Sequence, residues 1–277
     1  MCRLAYIPYT GIMSKEEMEK LLDFLEKKNG GHGNGIGGFI NDMPMVIKGI
    51  KITTQVMADL IVKRGWTNGV IFHSRMASKG SINDENCHPF GYNGSITCHN
   101  GHWMDSREVK WHMLFNGLMD TGKISDCTDS EIIACLVGRY GFEVTKLVSS
   151  GVILTITKDK VMVNVNGDFE AVRIGNKWLY ASEFPEDFKC DEHMEFKSGT
   201  IAVLRVDGYD VLEGEVAKYE KPTYYNNVNI GKIWNGYNYC PVSVETHAKN
   251  KRWWSRDNKK RVKKYGNGQS YYDYSDW

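Results

Sequence analysis

Polar and apolar positions change rhythm several times along this chain, and each change predicts a different element. Residues 2–7 (CRLAYI) form a short apolar run that predicts a strand at the very N-terminus. Ser14 followed by Glu17 has capping-box spacing, and KEEMEKLLDFLEKK repeats apolar residues at helical intervals, predicting an amphipathic helix to about Lys28. GGHGNGIGG (30–38) reads as a glycine-dense loop leading into a strand that ends near Asn41. A second helix is predicted over residues 53–64, and GVIFHSRM (69–76) reads as a buried strand. A loop containing Cys87-His88-Pro89-Phe90 precedes another strand, SITCHNG (95–101). Thr128 and Glu131 repeat the capping-box spacing and open a helix through about Gly138. From Gly151 to Glu183 the period falls to two. GVILTITKD, KVMVNVNGD, EAVRIG and KWLYASEF are separated by turn signals such as Asn166-Gly167, predicting a strand meander. TIAVLRVDG (200–208) closes the core.

Strands, then helices, then more strands suit an α+β layered architecture better than a parallel doubly wound sheet. Beyond about residue 220 the rhythm is lost. PTYYNNVNIGKIWNGYNYCP is aromatic and amide-rich, and KNKRWWSRDNKKRVKKYGNGQSYYDYSDW is basic and then rich in Tyr and Asp. The expected organisation is a main domain over residues 2–215 and an extension over 216–277 that is partly disordered alone. Nine Lys and Arg residues lie between Lys249 and Lys264, around Trp253 and Trp254. Cations interleaved with aromatics can hold phosphates and stack on bases, which makes nucleic acid one candidate partner of residues 249–264. A solvated extension, or a docking segment for a partner protein, is the plainer reading.

Composition narrows the classes. With 277 residues, 42% hydrophobic and 25% charged, the chain fits an ordinary globular protein able to bury a core without staples. A net charge of +1 argues against polyanion binding by the whole chain. No apolar run reaches the roughly 18 residues needed to span a bilayer. MCRLAYIPYT lacks the regions of a signal peptide. A cytoplasmic protein without a membrane segment is therefore expected. Seven cysteines at irregular spacings, with no CxxC pair, suggest neither a disulfide framework nor a structural zinc site. No metal and no cofactor are expected.

Cysteine at position 2 is the first chemical clue. Once Met1 is removed, a terminal cysteine carries a nucleophile and an amine on one residue. Its α-amine, with a reference pKa of about 7.7–8.0, can take the thiol proton directly or through a water. Asn100 and Gly101 could donate N–H groups to an oxyanion, or could simply form an Asn-Gly turn. Arg75, at the end of a buried strand, has the planar fork that suits a carboxylate. Asp129, in a first helical turn, could receive an ammonium or merely compensate the helix dipole. HGNGIGG precedes a strand, not a helix, and lacks GK[ST]; it is neither a dinucleotide fingerprint nor a phosphate loop.

MCRLAYI, HGNGIGG (32–38), HSRMASKG (73–80) with NCHPF (86–90), CHNG (98–101) and TDSE (128–131) occur in that order. Together they resemble the glutaminase domain of the class II, N-terminal-nucleophile glutamine amidotransferases, a family that includes glucosamine-6-phosphate synthase and phosphoribosyl-pyrophosphate amidotransferase. LYASEF (179–184) and MEFKSGTIAVLRVDG (194–208) extend the resemblance, which covers roughly residues 2–210. It implies a four-layer αββα sandwich of two mainly antiparallel sheets, with L-glutamine as substrate. It also implies Cys2 as nucleophile and Asn100 with Gly101 as the oxyanion hole. Arg75 becomes the carboxylate clamp, Asp129 the ammonium partner, and Ser78 a substrate contact. His88 matches the family's "HP" element and organises the pocket without acting as a base. The glycines of residues 32–38 would let backbone pass close to Cys2. The chain departs from the family at His32, Asn34, Met76 and Lys79, where relatives carry Arg, Asp, Trp and His. Those departures bear on the lid and partner-coupling surfaces more than on hydrolysis.

The implied activity is hydrolysis of the glutamine side-chain amide through a Cys2 thioester, giving glutamate and ammonia. Fewer than about seventy residues follow the domain, too few for the synthetase or transferase that receives ammonia in the well-known relatives. The acceptor is therefore expected in trans, as in a stand-alone member of bacterial or phage type. Two alternatives stay open: an amidase of the same nucleophile class acting on another amide, and a non-catalytic interaction protein working through its basic tail. Arg75 and Asp129 together argue against the first, because they match a free amino acid.

Overall fold

Every position of Arg3–Ile7 (β1) is buried, so this strand is covered on both faces, and its alternation shows by what. Leu4 and Tyr6 enter an apolar layer between two sheets, while Ala5 and Ile7 pack beneath helices. The computed structural model describes residues 2–8, 10–104, 106, 109–110 and 127–219; beyond them it describes four short strands.

The first sheet runs from edge to edge as Val216–Lys218 (β14), Glu192–Phe196 (β11), Glu170–Ile174 (β9), Lys177–Ala181 (β10), β1, Val70–Ser74 (β4), Asn34–Ile40 (β2) and Met43–Gly49 (β3). The second runs Tyr209–Glu213 (β13), Thr200–Leu204 (β12), Val161–Asn166 (β8), Gly151–Thr157 (β7), Ser95–Asn100 (β6) and Phe90–Tyr92 (β5). All these pairings are antiparallel. Trp178 and Tyr180 of β10 meet Ile96 and Cys98 of β6 and Leu154 and Ile156 of β7 in the layer between the sheets.

Helices close the two outer faces. Lys15–Asn29 (α1) buries Met18, Leu21, Leu22 and Leu25, an i, i+3, i+4, i+7 stripe. Thr54–Lys63 (α2) adds Met57, Ala58 and Ile61, and both helices lie on the first sheet against Val70 and Phe72. Each fully buried leucine there contributes about 1.5–3 kcal/mol. Asp129–Tyr140 (α3) packs Ile132, Ile133, Leu136 and Val137 with Ile153 of β7 on the second sheet. The result is the four-layer αββα sandwich implied by the resemblance.

Three local expectations need correction. The glycine-dense segment is mostly strand, because β2 starts at Asn34 and turns into β3 through Asn41 and Asp42, both at positive φ. Asn and Asp tolerate that conformation, and β3 escaped notice because MPMVIKG is an edge strand carrying proline with no clean alternation. The run from Gly151 to Glu183 is not a meander. β7 and β8 pair in the second sheet, β9 and β10 in the first, so the chain changes sheets after Asn166. Finally, Ser14 and Glu17 close a full capping box, whereas at α3 only Thr128 caps, and the Glu131 carboxylate accepts from the Tyr92 hydroxyl at 2.7 Å.

Contacts divide the chain into units Met1–Tyr219 and Glu220–Trp277. In the second unit two antiparallel hairpins are described, Gly231–Trp234 (β15) with Tyr239–Val242 (β16), and Val262–Lys264 (β17) with Ser270–Tyr272 (β18). Most of the basic segment 249–264, including Trp253 and Trp254, lies outside the described residues.

Candidate active site

Alternation along β1 gives Cys2 the same face as Leu4 and Tyr6, the face turned toward the second sheet. Its Sγ accepts from the Met76 N–H at 3.2 Å and lies 3.5 Å from the Met76 carbonyl oxygen. Burial raises the thiol above its ordinary range; the Met76 N–H and the Arg75 charge pull back, and Asp129 adds to the rise. In this setting the group is a thiol at neutral pH and needs a base to become a nucleophile.

β6 shows the same parity from the other side. Ile96 and Cys98 point into the inter-sheet layer, and Asn100 is the next residue in that register. The Asn100 Nδ2 lies 3.4 Å from the Ser182 Oγ, and that oxygen also accepts the Leu4 N–H at 3.1 Å. The Ser182 N–H in turn donates to the Leu4 carbonyl at 2.9 Å. One hydroxyl thus joins the strand that follows Cys2 to the side chain of Asn100. Gly101 is packed so closely that a Cβ would stand 2.6 Å from the His99 Nε2 and 2.7 Å from the Gly151 Cα. No larger residue fits there without moving backbone.

Arg75 is 2% exposed and tied at both ends. Its N–H donates to the Gly33 carbonyl at 2.8 Å, and its carbonyl accepts from the His32 N–H at 2.9 Å. The guanidinium donates to the Ser81 and Lys79 carbonyls at 2.8 and 2.7 Å, which folds the 76–81 loop over it. His32 supports the same loop by accepting the Ala77 N–H at 2.9 Å. Ser78 is exposed on that loop, apart from the buried groups. Asp129, 7% exposed at the first position of α3, accepts the Trp103 N–H at 2.8 Å and sits 3.6 Å from the His102 Nδ1. Asp129 thus lies at the positive end of that helix. Arg75 is next in the chain to Met76, whose N–H meets the Cys2 sulfur.

His88 stacks on His73 with ring centres 4.0 Å apart, and both Nδ1 atoms are buried without a hydrogen-bond partner among the described residues. His73 Nε2 lies 3.3 Å from the His99 carbonyl oxygen. Of the glycines expected beside Cys2, Gly35 meets this group, where a Cβ would stand 1.9 Å from the His88 carbonyl oxygen, and Gly33 meets Cys87, where a Cβ would stand 2.3 Å from Sγ. Asn34, on the helix side, donates to Glu26 and to the Ile52 carbonyl at 2.8 and 2.9 Å. A cavity of about 620 Å³ between β3 and β5, with Lys48, Phe90 and Tyr92 in its wall, contains none of the seven predicted site residues. Among the described residues there is no cluster of three or more metal-ligating side chains.

Burial dominates these histidines: it pushes His73 down to about 3, His88 well below the usual range, and His99 down with partial relief from Asp129. Unfolded, each takes up its proton near pH 6.5. The stability held in a neutral His73 is therefore complete above about pH 6.5 and is lost as pH falls toward 3. Between pH 7 and pH 5 this amounts to about 2 kcal/mol. Urea unfolding of His73→Gln should show a pH 7 to pH 5 difference smaller by that amount than wild type. An unchanged difference would mean that His73 is already charged in the folded protein.

Ser182 and the pair Arg3–Glu183 were not foreseen as neighbours of the site. Both acceptors lie in or beside LYASEF, whose family likeness was visible, but their partners are some 180 residues away in sequence.

Two solved structures share this fold. One is the glutamine phosphoribosylpyrophosphate (PRPP) amidotransferase from B. subtilis complexed with ADP and GMP, 17% identical, with a TM-score of 0.56 over 77% of this chain and 49% of that one. The other is the allosteric regulatory enzyme of purine biosynthesis, 16% identical, with a TM-score of 0.60 over 77% and 49%. The likeness drawn from sequence motifs is thus matched by the fold. The chain spans about half the length of these two proteins. No family model and no curated protein matches the sequence.

Proposed function

We propose that this chain hydrolyses the side-chain amide of L-glutamine through Cys2, after removal of Met1, and passes the ammonia to a separate acceptor enzyme. What supports the reading is that the buried Cys2 thiol accepts the N–H of Met76, next along the chain from buried Arg75, and that a buried Asp129 opens the helix on the second sheet. The freed α-amine takes the Sγ proton, and Sγ attacks the glutamine Cδ. Asn100 and the Gly101 N–H stabilise the oxyanion. The ammonium then returns its proton to the leaving nitrogen, ammonia departs, and water hydrolyses the thioester to glutamate and the free thiol. Arg75 has five N–H donors and uses two on carbonyls of its own loop, which leaves three for the substrate carboxylate. Each Asp129 oxygen accepts one backbone N–H and keeps a lone pair for the substrate ammonium.

Glutamate release from glutamine tests the reading. Asp129→Asn should raise KM for glutamine about 10- to 100-fold, the loss of one charge-assisted hydrogen bond, with a smaller change in kcat. Glutaramate, which lacks the α-ammonium, should be turned over equally by wild type and variant. Equal losses on both substrates would remove Asp129 from substrate binding and leave it the structural role of holding the Trp103 N–H at the start of α3. Turnover of glutaramate but not glutamine by the wild type would favour an amidase for another amide.

A further inference from the structure

Asn100 and Ser182 together present an accounting problem. With Nδ2 turned toward the Ser182 Oγ, the Asn100 Oδ1 is buried with no hydrogen-bond partner among the described residues. Ser182 is fully buried, and its oxygen already accepts the Leu4 N–H. A second N–H from Asn100 leaves the hydroxyl proton of Ser182 with no acceptor among the described residues. A half-turn of the amide keeps its shape and exchanges oxygen for nitrogen. The Ser182 hydroxyl then donates to Oδ1 across the same 3.4 Å contact, which pairs the hydroxyl proton and the amide oxygen and leaves the two Nδ2 hydrogens as the groups without a partner among the described residues. As placed, the amide oxygen, the hydroxyl proton and one amide hydrogen are unmet; after the turn only the two amide hydrogens are, so the count favours the turned form.

We infer that Ser182 is a positioning residue that holds the Asn100 amide oxygen, so that both Nδ2 hydrogens stay free for the oxyanion. This deepens the glutaminase reading and rests on it. The Leu4 N–H makes Ser182 Oγ an acceptor on one side, which directs the hydroxyl hydrogen toward Asn100 on the other. The strand that carries the nucleophile thereby sets the polarity of the oxyanion donor. In the resting enzyme the free N–H groups have no protein partner, and the hydrogen bond forms only as negative charge develops, where it accelerates reaction. Without Ser182 the amide can rotate and offer its oxygen to the oxyanion.

The test is a double-mutant cycle on glutamate release, using Ser182→Ala, Asn100→Ala and both together, with Cys2→Ala as the blank. Ser182→Ala should lower kcat about 10- to 100-fold while KM for glutamine stays within about twofold. In the Asn100→Ala background the same substitution should cost nothing further. Alkylation of Cys2 by iodoacetamide should proceed at the wild-type rate in Ser182→Ala, because the thiol is untouched. Equal losses in both backgrounds, or a slowed alkylation that accounts for the kcat loss, would overturn the inference and assign Ser182 a structural role. The amide can also be read directly. In labelled wild-type protein the Asn100 NH₂ hydrogens should show no strong cross-peaks to the Ser182 β-protons; strong ones overturn the inference whatever the kinetics and even if Ser182→Ala fails to fold. If the wild type releases no Cys2-dependent glutamate, the glutaminase reading falls instead, and this cross-peak still decides the amide's orientation.

Discussion

Cys2→Ala is expected to lower kcat for glutamate release by about 10⁴- to 10⁶-fold, the range found when the nucleophile of a covalent hydrolase is removed. The size follows from there being no substitute. Burial holds the Cys2 thiol protonated, and the nearby imidazoles are poor bases, with His73 pushed down to about 3 and His88 lower than usual. A group with so low a pKa takes a thiol proton only at a large free-energy cost. The terminal amine, titrating near neutrality, has no such handicap. One residue added in front of Cys2 should therefore be nearly as damaging as loss of the thiol, although the sulfur is still present. Mass spectrometry of the intact protein establishes which terminus each preparation carries. Activity within about tenfold of wild type in either variant would refute the mechanism.

The second large effect concerns stability. Arg3 is 5% exposed on the helix side of β1, and its guanidinium donates to Glu183 at 3.0 Å and to the Cys2 carbonyl at 3.2 Å. Glu183 also pairs with Lys28 of α1 at 2.8 Å. Glu183→Gln leaves a buried cation without its counterion, which for a fully enclosed pair costs about 3–5 kcal/mol. Glu183 is 27% exposed, so water screens part of the loss, and about 2–3 kcal/mol is the expected outcome. For a unit of this size that lowers the thermal midpoint by about 4–12 °C. Arg3→Met removes the buried charge itself and should cost less than Glu183→Gln. That order is the sensitive part of the experiment. A Glu183→Gln protein as stable as wild type, or less damaged than Arg3→Met, would show that water reaches Arg3 and that the pair contributes little.

Much of the architecture could be read before any coordinates because it depends on local rules. The stripe on α1, the Ser14–Glu17 box and the alternation in VILTIT all report a helix or strand from within a dozen residues. What escaped depends on distant partners. β3 has no clean period because one side is an open edge, and β9 and β10 look like a continuation of β7 and β8 until pairing separates them. The same holds at the site. Cys2, Arg75, Asn100 and Asp129 are candidates by residue type and motif order, whereas nothing around Ser182 in the sequence indicates that it meets Leu4 and Asn100. Ser78 is a candidate by motif position alone, and it lies on the exposed part of the 76–81 loop.

The place of β1 in its sheet has a consequence for synthesis. This strand is made before both its neighbours, β4 and β10, which end at Ser74 and Ala181. At about 5–20 residues per second, a ribosome needs roughly 10–35 s to pass from β1 to the end of the second of them. Through that interval β1 has at most one side paired, so the fold can enclose it only after residues far along the chain have been made.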